Sequence, residues 1–302
     1  MAASLIVFGI MNILPGDVAL VILASEEGGF REDEAELLRE ALGLNDPLPV
    51  QYGKWVWSML SGEFGGDSLE SREPLREIIA RRFPVTLELA LLTMAITLVV
   101  SLPLGVVAAL HQDRPLDYLI RSVSILGLAM PNFWVALLLI LGMVIFFNWV
   151  PPVIYRDLWE DPSGNLELII WPALVVAWGF SSYLVRVTRA TMLEVLRQDY
   201  IRTAFSKGLP QRTIVTRHAL RNTLIPVVTL MGGHLDALLA GSVILENVFG
   251  VPGVGQGIVG AATSRDYPVI MSLAMILVFF ALFVNLIIDL SYAFIDPRIS
   301  YE

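Results

Sequence analysis

The sequence predicts an all-α, polytopic membrane bundle of about six transmembrane helices, and three observations carry that prediction. Of 302 residues, 56% are hydrophobic, with a mean hydropathy of +0.69; soluble domains use roughly 45–50% apolar residues. Five apolar runs, at residues 85–110, 119–147, 166–185, 224–245 and 269–294, each reach the ~20 residues that a helix needs to cross a hydrocarbon core of ~30 Å. Between two of these runs lies a polar, basic stretch, residues 186–226. It carries eight Lys or Arg (Arg186, Arg189, Arg197, Arg202, Lys207, Arg212, Arg217 and Arg221) against only Glu194 and Asp199.

Composition also excludes chemistry. With no Cys there is neither a disulfide framework nor thiolate catalysis, and His111, His218 and His234 are scattered without metal-ligand spacing. No P-loop, no Ser-His-Asp set and no paired-carboxylate arrangement can be argued, so no catalytic, cofactor or metal site is assigned to this chain. The net charge of −9 is local in origin: residues 25–83 hold thirteen acidic and seven basic side chains, which points to one acidic loop.

Residues 1–24 supply the first span and its exit. Only about 15 residues precede Pro15, roughly 22 Å of helix, so this span is expected to be incomplete at its N-terminus. Residues 25–83 form the next division, an ordered extramembrane loop. It carries an amphipathic pattern at Glu34, Leu37, Leu38, Ala41 and Leu42, and an aromatic group, Tyr52, Trp55 and Trp57, of the kind that anchors at membrane interfaces. Residues 84–302 hold the remaining spans. Pro103, Pro131 and Pro172 fall inside them and are expected to bend the helices without breaking them, since neighbouring helices can satisfy the freed carbonyls. The Lys and Arg asymmetry places the 186–222 loop and both termini on the cytoplasmic side and residues 25–83 outside; Arg81 and Arg82 run against that rule.

In the fifth span, Gly233, Ala237 and Gly241 recur every four residues, a small-residue stripe that lets another helix approach closely. His234 and Asp236 beside it are candidates for a pathway, because an ionisable group at membrane depth faces a cavity or a partner. The competing reading is a satisfied pair near water with no specific role. Gly255, Gly257 and Gly260 fit G-x-G-x-x-G, but without the strand and cytoplasmic placement that a phosphate site needs.

Within the basic stretch, cations every fifth residue would spiral around one straight helix. Gly208, Leu209 and Pro210 interrupt it and predict two helices joined by a turn. Ile201, Ala204, Phe205 and Gly208 make an apolar face on the first, able to sit in a partner's groove; Ile214, Val215, His218 and Ala219 make one on the second. A solvated loop that only sets membrane orientation fits the same spacing. A helix-turn-helix reader of DNA does not, since spans tether both ends, and no nucleic-acid partner is expected.

The segment QDYIRTAFSKGLPQRTIVTRHALRNTLIPVV resembles the cytoplasmic loop of the membrane-spanning permease subunits of binding-protein-dependent ABC importers, most closely the dipeptide and oligopeptide permease family. Of the wider family's E-A-A, Gly, I-x-L-P pattern, Ala204, Gly208 and Leu220 match, whereas Arg202 stands in place of the carboxylate and Arg221 in place of Pro. The carboxylate's salt bridge to the ATPase is therefore not carried over. LPGD at residues 14–17, LGLNDPLPVQY, the glycine-rich 246–270 segment and Asp296-Pro297-Arg298 are similar to other parts of that family. The resemblance implies a type I importer permease in the inner (plasma) membrane of a prokaryote, with an extracytoplasmic loop between spans 1 and 2. It implies pairing with a second, homologous permease, two ABC ATPase subunits that carry the ATP and Mg, and an extracytoplasmic solute-binding protein delivering peptides or similar small solutes. The ATPase-coupling loop would comprise Asp199, Tyr200, Ile201, Arg202, Ala204, Phe205, Lys207, Gly208, Leu209 and Arg212. Two rivals remain: an ion-coupled secondary transporter using Asp236, His234 and Glu88, and a membrane-anchored scaffold.

Overall fold

In a computed structural model of the chain, the described residues are 2–13, 36, 39–40 and 45–295; the side chains of 10–13, 225, 234–237, 239–241 and 287–295 lie outside the description. The described residues are helical, with no strand, as expected of a chain that must satisfy its own backbone groups in lipid. In order they are α1 (Ala2–Ile13), α2 (Leu48–Ser61), α3 (Leu75–Leu110), α4 (Pro115–Ala129), α5 (Asn132–Phe147), α6 (Pro162–Leu196), α7 (Asp199–Ser206), α8 (Leu220–Phe249), α9 (Val254–Ser264) and α10 (Tyr267–Ile295). Three helices are long and apolar enough to cross a membrane, and up to five do so if each of two bent helix pairs counts as one span. The chain divides into two compact units, 1–86 with 252–282, and 87–251 with 283–302.

In the first unit α3 begins at Leu75, about ten residues before the expected span, so Arg81 and Arg82 stand on a helix and not in a loop. Leu75, Ile78 and Ile79 pack against Val254, Ala261, Ile270 and Leu273. Gly257 gives the room for this: a Cβ there would meet the Arg82 side chain and Leu273 at 2.8 Å, so the glycine-rich run serves helix packing. Arg82 donates to the Gly253 carbonyl at 3.0 Å and the Thr86 hydroxyl accepts from the Val254 amide at 2.8 Å. The 62–74 turn region is tied down by Ser68, whose buried hydroxyl donates to Asp266. Glu73 pairs with Arg81, whose hydrogen bonds hold its carboxyl below the usual range. Of the expected interfacial aromatics, Tyr52 and Trp55 stack on Phe8 of α1, while Trp57 is exposed. The amphipathic pattern around residues 34–42 lies outside the described residues.

The second unit is built around α6, which runs unbroken through Pro172. Three helices come close to it at glycines. A Cβ on Gly105 of α3 would fall within 2.5 Å of Thr188, one on Gly127 of α4 would strike Ser182, and one on Gly179 would meet Asn132 of α5 at 2.9 Å. Pro103 is likewise carried without a break in α3. Pro131 corrects the expectation. Met130 before it is extended (φ −94°, ψ 126°), as the clash with a following proline ring favours, and the 119–147 run becomes two helices meeting at 105°. The start of α4 is pinned to α6 by Asp117, fully buried, whose carboxylate accepts from Arg189 Nε at 2.7 Å and Nη2 at 2.6 Å. It also accepts from the Asp113 amide at 3.0 Å.

That pair generates a stability prediction. Asp117→Ala leaves a largely buried guanidinium without its partner and should cost about 3–5 kcal/mol. Replacing both partners, Asp117→Leu with Arg189→Met, should recover most of the loss, because no unpaired charge is left. Thermal unfolding of the purified protein in detergent checks both.

Candidate functional site

Two features of the second unit qualify as sites: the basic segment after α6 and a cavity at the α4–α5 break. The basic segment forms from a short helix with a well-defined stop. At the end of α7 the amide of Gly208 bonds the Phe205 carbonyl at 2.9 Å and that of Leu209 the Ala204 carbonyl at 3.3 Å, with Gly208 at φ 74°. This is a Schellman closure, which glycine makes without strain, and Pro210 then starts a new direction.

Beyond Pro210 the chain departs from the expected second helix. Gln211–Thr213 leads into a π-helical turn, Ile214–Ala219, where the Leu220 amide reaches back five residues to Val215, and this continues directly into α8. The basic segment and the fifth span are therefore one rod. The Asn222 amide donates to the Tyr200 hydroxyl at 2.7 Å, clamping α7 to that rod.

Burial divides the face expected to dock. Ile201 and Ala204 point into the chain's own core, against Met192, Val195, Ile214, Val215, Ala219 and Ala109. They are covered here, so the groove that receives them belongs to this chain, which corrects their assignment to a partner's groove. Phe205 (50% exposed), Tyr200 (44%) and Leu209 are accessible, together with Asp199, Arg202, Lys207, Gly208 and Arg212. Arg202 and Asp199 stand 3.5 Å apart on the open surface, a spacing that leaves both free to reorient.

The cavity has a volume of about 770 Å³. Its wall comes from the α4–α5 break (Gly127 to Asn132), from α6 (Val176, Gly179, Phe180, Tyr183) and from α8 (Thr229, Leu230, Gly233, Leu238). Gly233 lines it with nothing within 4 Å of where a Cβ would stand, so among the described residues no helix is seated on it. The side chains of His234, Asp236, Ala237 and Gly241 lie outside the described residues.

Glu88 sits in a separate cluster. Its Oε2 accepts from the Tyr155 hydroxyl at 2.9 Å and from Asn165 Nδ2 at 3.3 Å, and Asn165 also donates to the Arg156 carbonyl at 3.0 Å. Burial, with the hydrogen bond to Glu88, pushes the Tyr155 hydroxyl above its ordinary pKa. Nearby Asp161 caps α6, accepting from Gly164; that amide, Ser163 and Arg156 hold its carboxyl at about 2. Sequence reasoning missed Asp117–Arg189 and Tyr155–Glu88–Asn165, because pairing across 67–77 residues leaves no local periodicity.

Comparison with known proteins gives this architecture a class. Residues 101–301 match the family described as binding-protein-dependent transport system inner membrane component, and residues 1–90 match the N-terminal region of such membrane components. The chain belongs to this family: it is a membrane permease subunit of an importer and not an enzyme. It is 38% identical to the oligopeptide transport system permease protein AppB of Bacillus subtilis (strain 168), over 99% of this chain and 94% of AppB. With the dipeptide transport system permease protein DppB of Escherichia coli (strain K12) it shares 34% identity over the same fractions. A crystal structure of an amino acid ABC transporter with histidines aligns at a TM-score of 0.49 and 15% identity, over 71% of this chain and 92% of that one. Family membership decides against the ion-coupled and scaffold readings.

The geometry of α7 separates two kinds of substitution. Ala204→Glu should lower the melting temperature of the isolated chain, because the charge enters a core with no partner for it. Gly208→Val should also destabilise, by forcing positive φ on a β-branched residue. Phe205→Ala should leave the melting temperature within about 2 °C, as exposed substitutions usually change stability by no more than ~0.5 kcal/mol. Differential scanning fluorimetry on the three variants checks this.

Proposed function

We propose that the chain is one permease of an ATP-driven peptide importer. In this reading it encloses a pathway with a second, homologous permease, is driven by two ATPases that carry ATP and Mg, and receives cargo from an extracytoplasmic binding protein. The cytoplasmic coupling surface is α7 and the turn after it. The observation that carries this is the exposed set Tyr200, Phe205 and Leu209 on a helix locked by its own core into a rod continuous with α8. Apolar side chains left out of that core, rimmed by Arg202, Lys207 and Arg212, suit an interface with an apolar centre and a charged edge. The peptide class is supported by the names of the relatives, since similarity extends over nearly the whole length of each. ATP-dependent closure of the ATPases would move α7, and the π-helical turn would pass that movement to α8 as a rigid element.

In this arrangement α7 faces the cytoplasm, both chain ends lie on that side, and residues 25–74 lie outside. Because Ser68 is buried against Asp266, the informative probes are Glu70→Cys and Ser206→Cys, both exposed in a chain without native Cys. A membrane-impermeant maleimide should label them from opposite faces of the membrane; labelling from one face would reject the arrangement.

Coupling is tested by co-purification. Phe205→Ala and Tyr200→Ala should reduce recovery of the ATPases about tenfold, corresponding to ~1.4 kcal/mol for a central interface side chain. Lys207→Ala, at the rim, should change it less than threefold. Full ATPase recovery and normal transport with Phe205→Ala would reject the coupling role.

A further inference from the structure

The helix break at Met130–Pro131 interrupts a run otherwise apolar enough to cross a membrane. Non-helical backbone at that depth is tolerated where it is buried in protein or borders a cavity, and here it borders the 770 Å³ cavity. That volume lies within the ~300–1,000 Å³ range of sites that take small molecules. Among the described residues its wall carries no formal charge. Phe180, Leu230 and Leu238 give it apolar surface, and Asn132, Tyr183 and Thr229 give it neutral polar groups.

Gly233 adds an independent observation. The glycines at Gly105, Gly127 and Gly179 are filled by neighbouring side chains or backbone, and a Cβ at any of them would collide. A Cβ at Gly233 would meet nothing, although the residue stands on the cavity wall. Its missing side chain is space inside the cavity.

We propose that this cavity is a cargo subsite that accepts an uncharged side chain of a transported peptide, and that Gly233 sets the size it admits. The proposal rests on the peptide-importer reading. The character of the wall selects an uncharged occupant: a charged side chain would be desolvated there without a counter-charge among the described residues. Asn132 and Tyr183 offer hydrogen bonds to an amide backbone passing the break.

The test uses the complete importer, with its second permease, ATPases and binding protein, in proteoliposomes. Uptake of radiolabelled Ala-Ala and Ala-Phe is measured for wild type and for Gly233→Ala, Gly233→Leu and Gly233→Phe. All variants share one binding protein, so changes in the ratio of the two peptides report the permease alone. The Ala-Phe to Ala-Ala ratio should fall in order of side-chain size, roughly tenfold for the largest, as expected when a pocket loses room for part of its ligand. Co-purification with the second permease should be unchanged. An unchanged ratio across the series, or equal loss of both peptides with the complex intact, would overturn the subsite. Loss of the second permease from Gly233→Leu and Gly233→Phe, with an unchanged ratio in Gly233→Ala, would assign the space to that partner and also overturn it. Wild-type importer that takes up neither peptide would reject the peptide reading itself, and this inference with it.

Discussion

The close approach of three helices to α6 is the constraint on which the second unit depends. Apolar side chains gain little by leaving lipid for one another, so helix association in a membrane draws on van der Waals contact and on short interhelical distances. Gly105, Gly127 and Gly179 create those distances along α6, against Thr188, Ser182 and Asn132. The consequences run in both directions along the helix. At the Gly179 contact, Asn132 is held beside the proline break, which opens the cavity. At the other end, α6 presents Arg189 to Asp117 and Met192 and Val195 to the core that seats α7.

The coupling element illustrates how a small helix gains a fixed orientation. Eight residues are too short to be stable alone in water. What holds α7 is burial of Ile201 and Ala204, the Schellman closure at Gly208 and the hydrogen bond from Asn222 to Tyr200. A rigid mount is what a force-transmitting part requires, because displacement of a loosely attached helix would be absorbed locally. The π-helical turn, Ile214–Ala219, completes the mount by making the segment continuous with α8.

Small residues play opposite parts in this protein. At Gly127 absence of a side chain permits contact, whereas at Gly233 it leaves a void. Spacing along one helix cannot distinguish the two, since both look like positions where a neighbour could approach. Only the arrangement of the other helices shows which glycine is filled.

From the sequence alone, the all-α membrane class, the positions of the long apolar helices and the turn at Gly208 and Pro210 were legible. They depend on hydropathy, period and local backbone sterics, all of which act within a few residues. The resemblance of residues 198–228 to peptide permeases likewise pointed to the transport family to which the chain belongs. Tertiary structure decided the rest. Pro131 breaks its run while Pro103 and Pro172 do not, because the cost of a lost backbone hydrogen bond depends on what neighbouring helices offer. Ile201 and Ala204 face the chain's own core while Phe205 faces out, because an apolar stripe specifies that something must cover it without specifying what. Asp117 meets Arg189 across 72 residues for the same reason: a charge carries no record in sequence of the distant partner that will neutralise it.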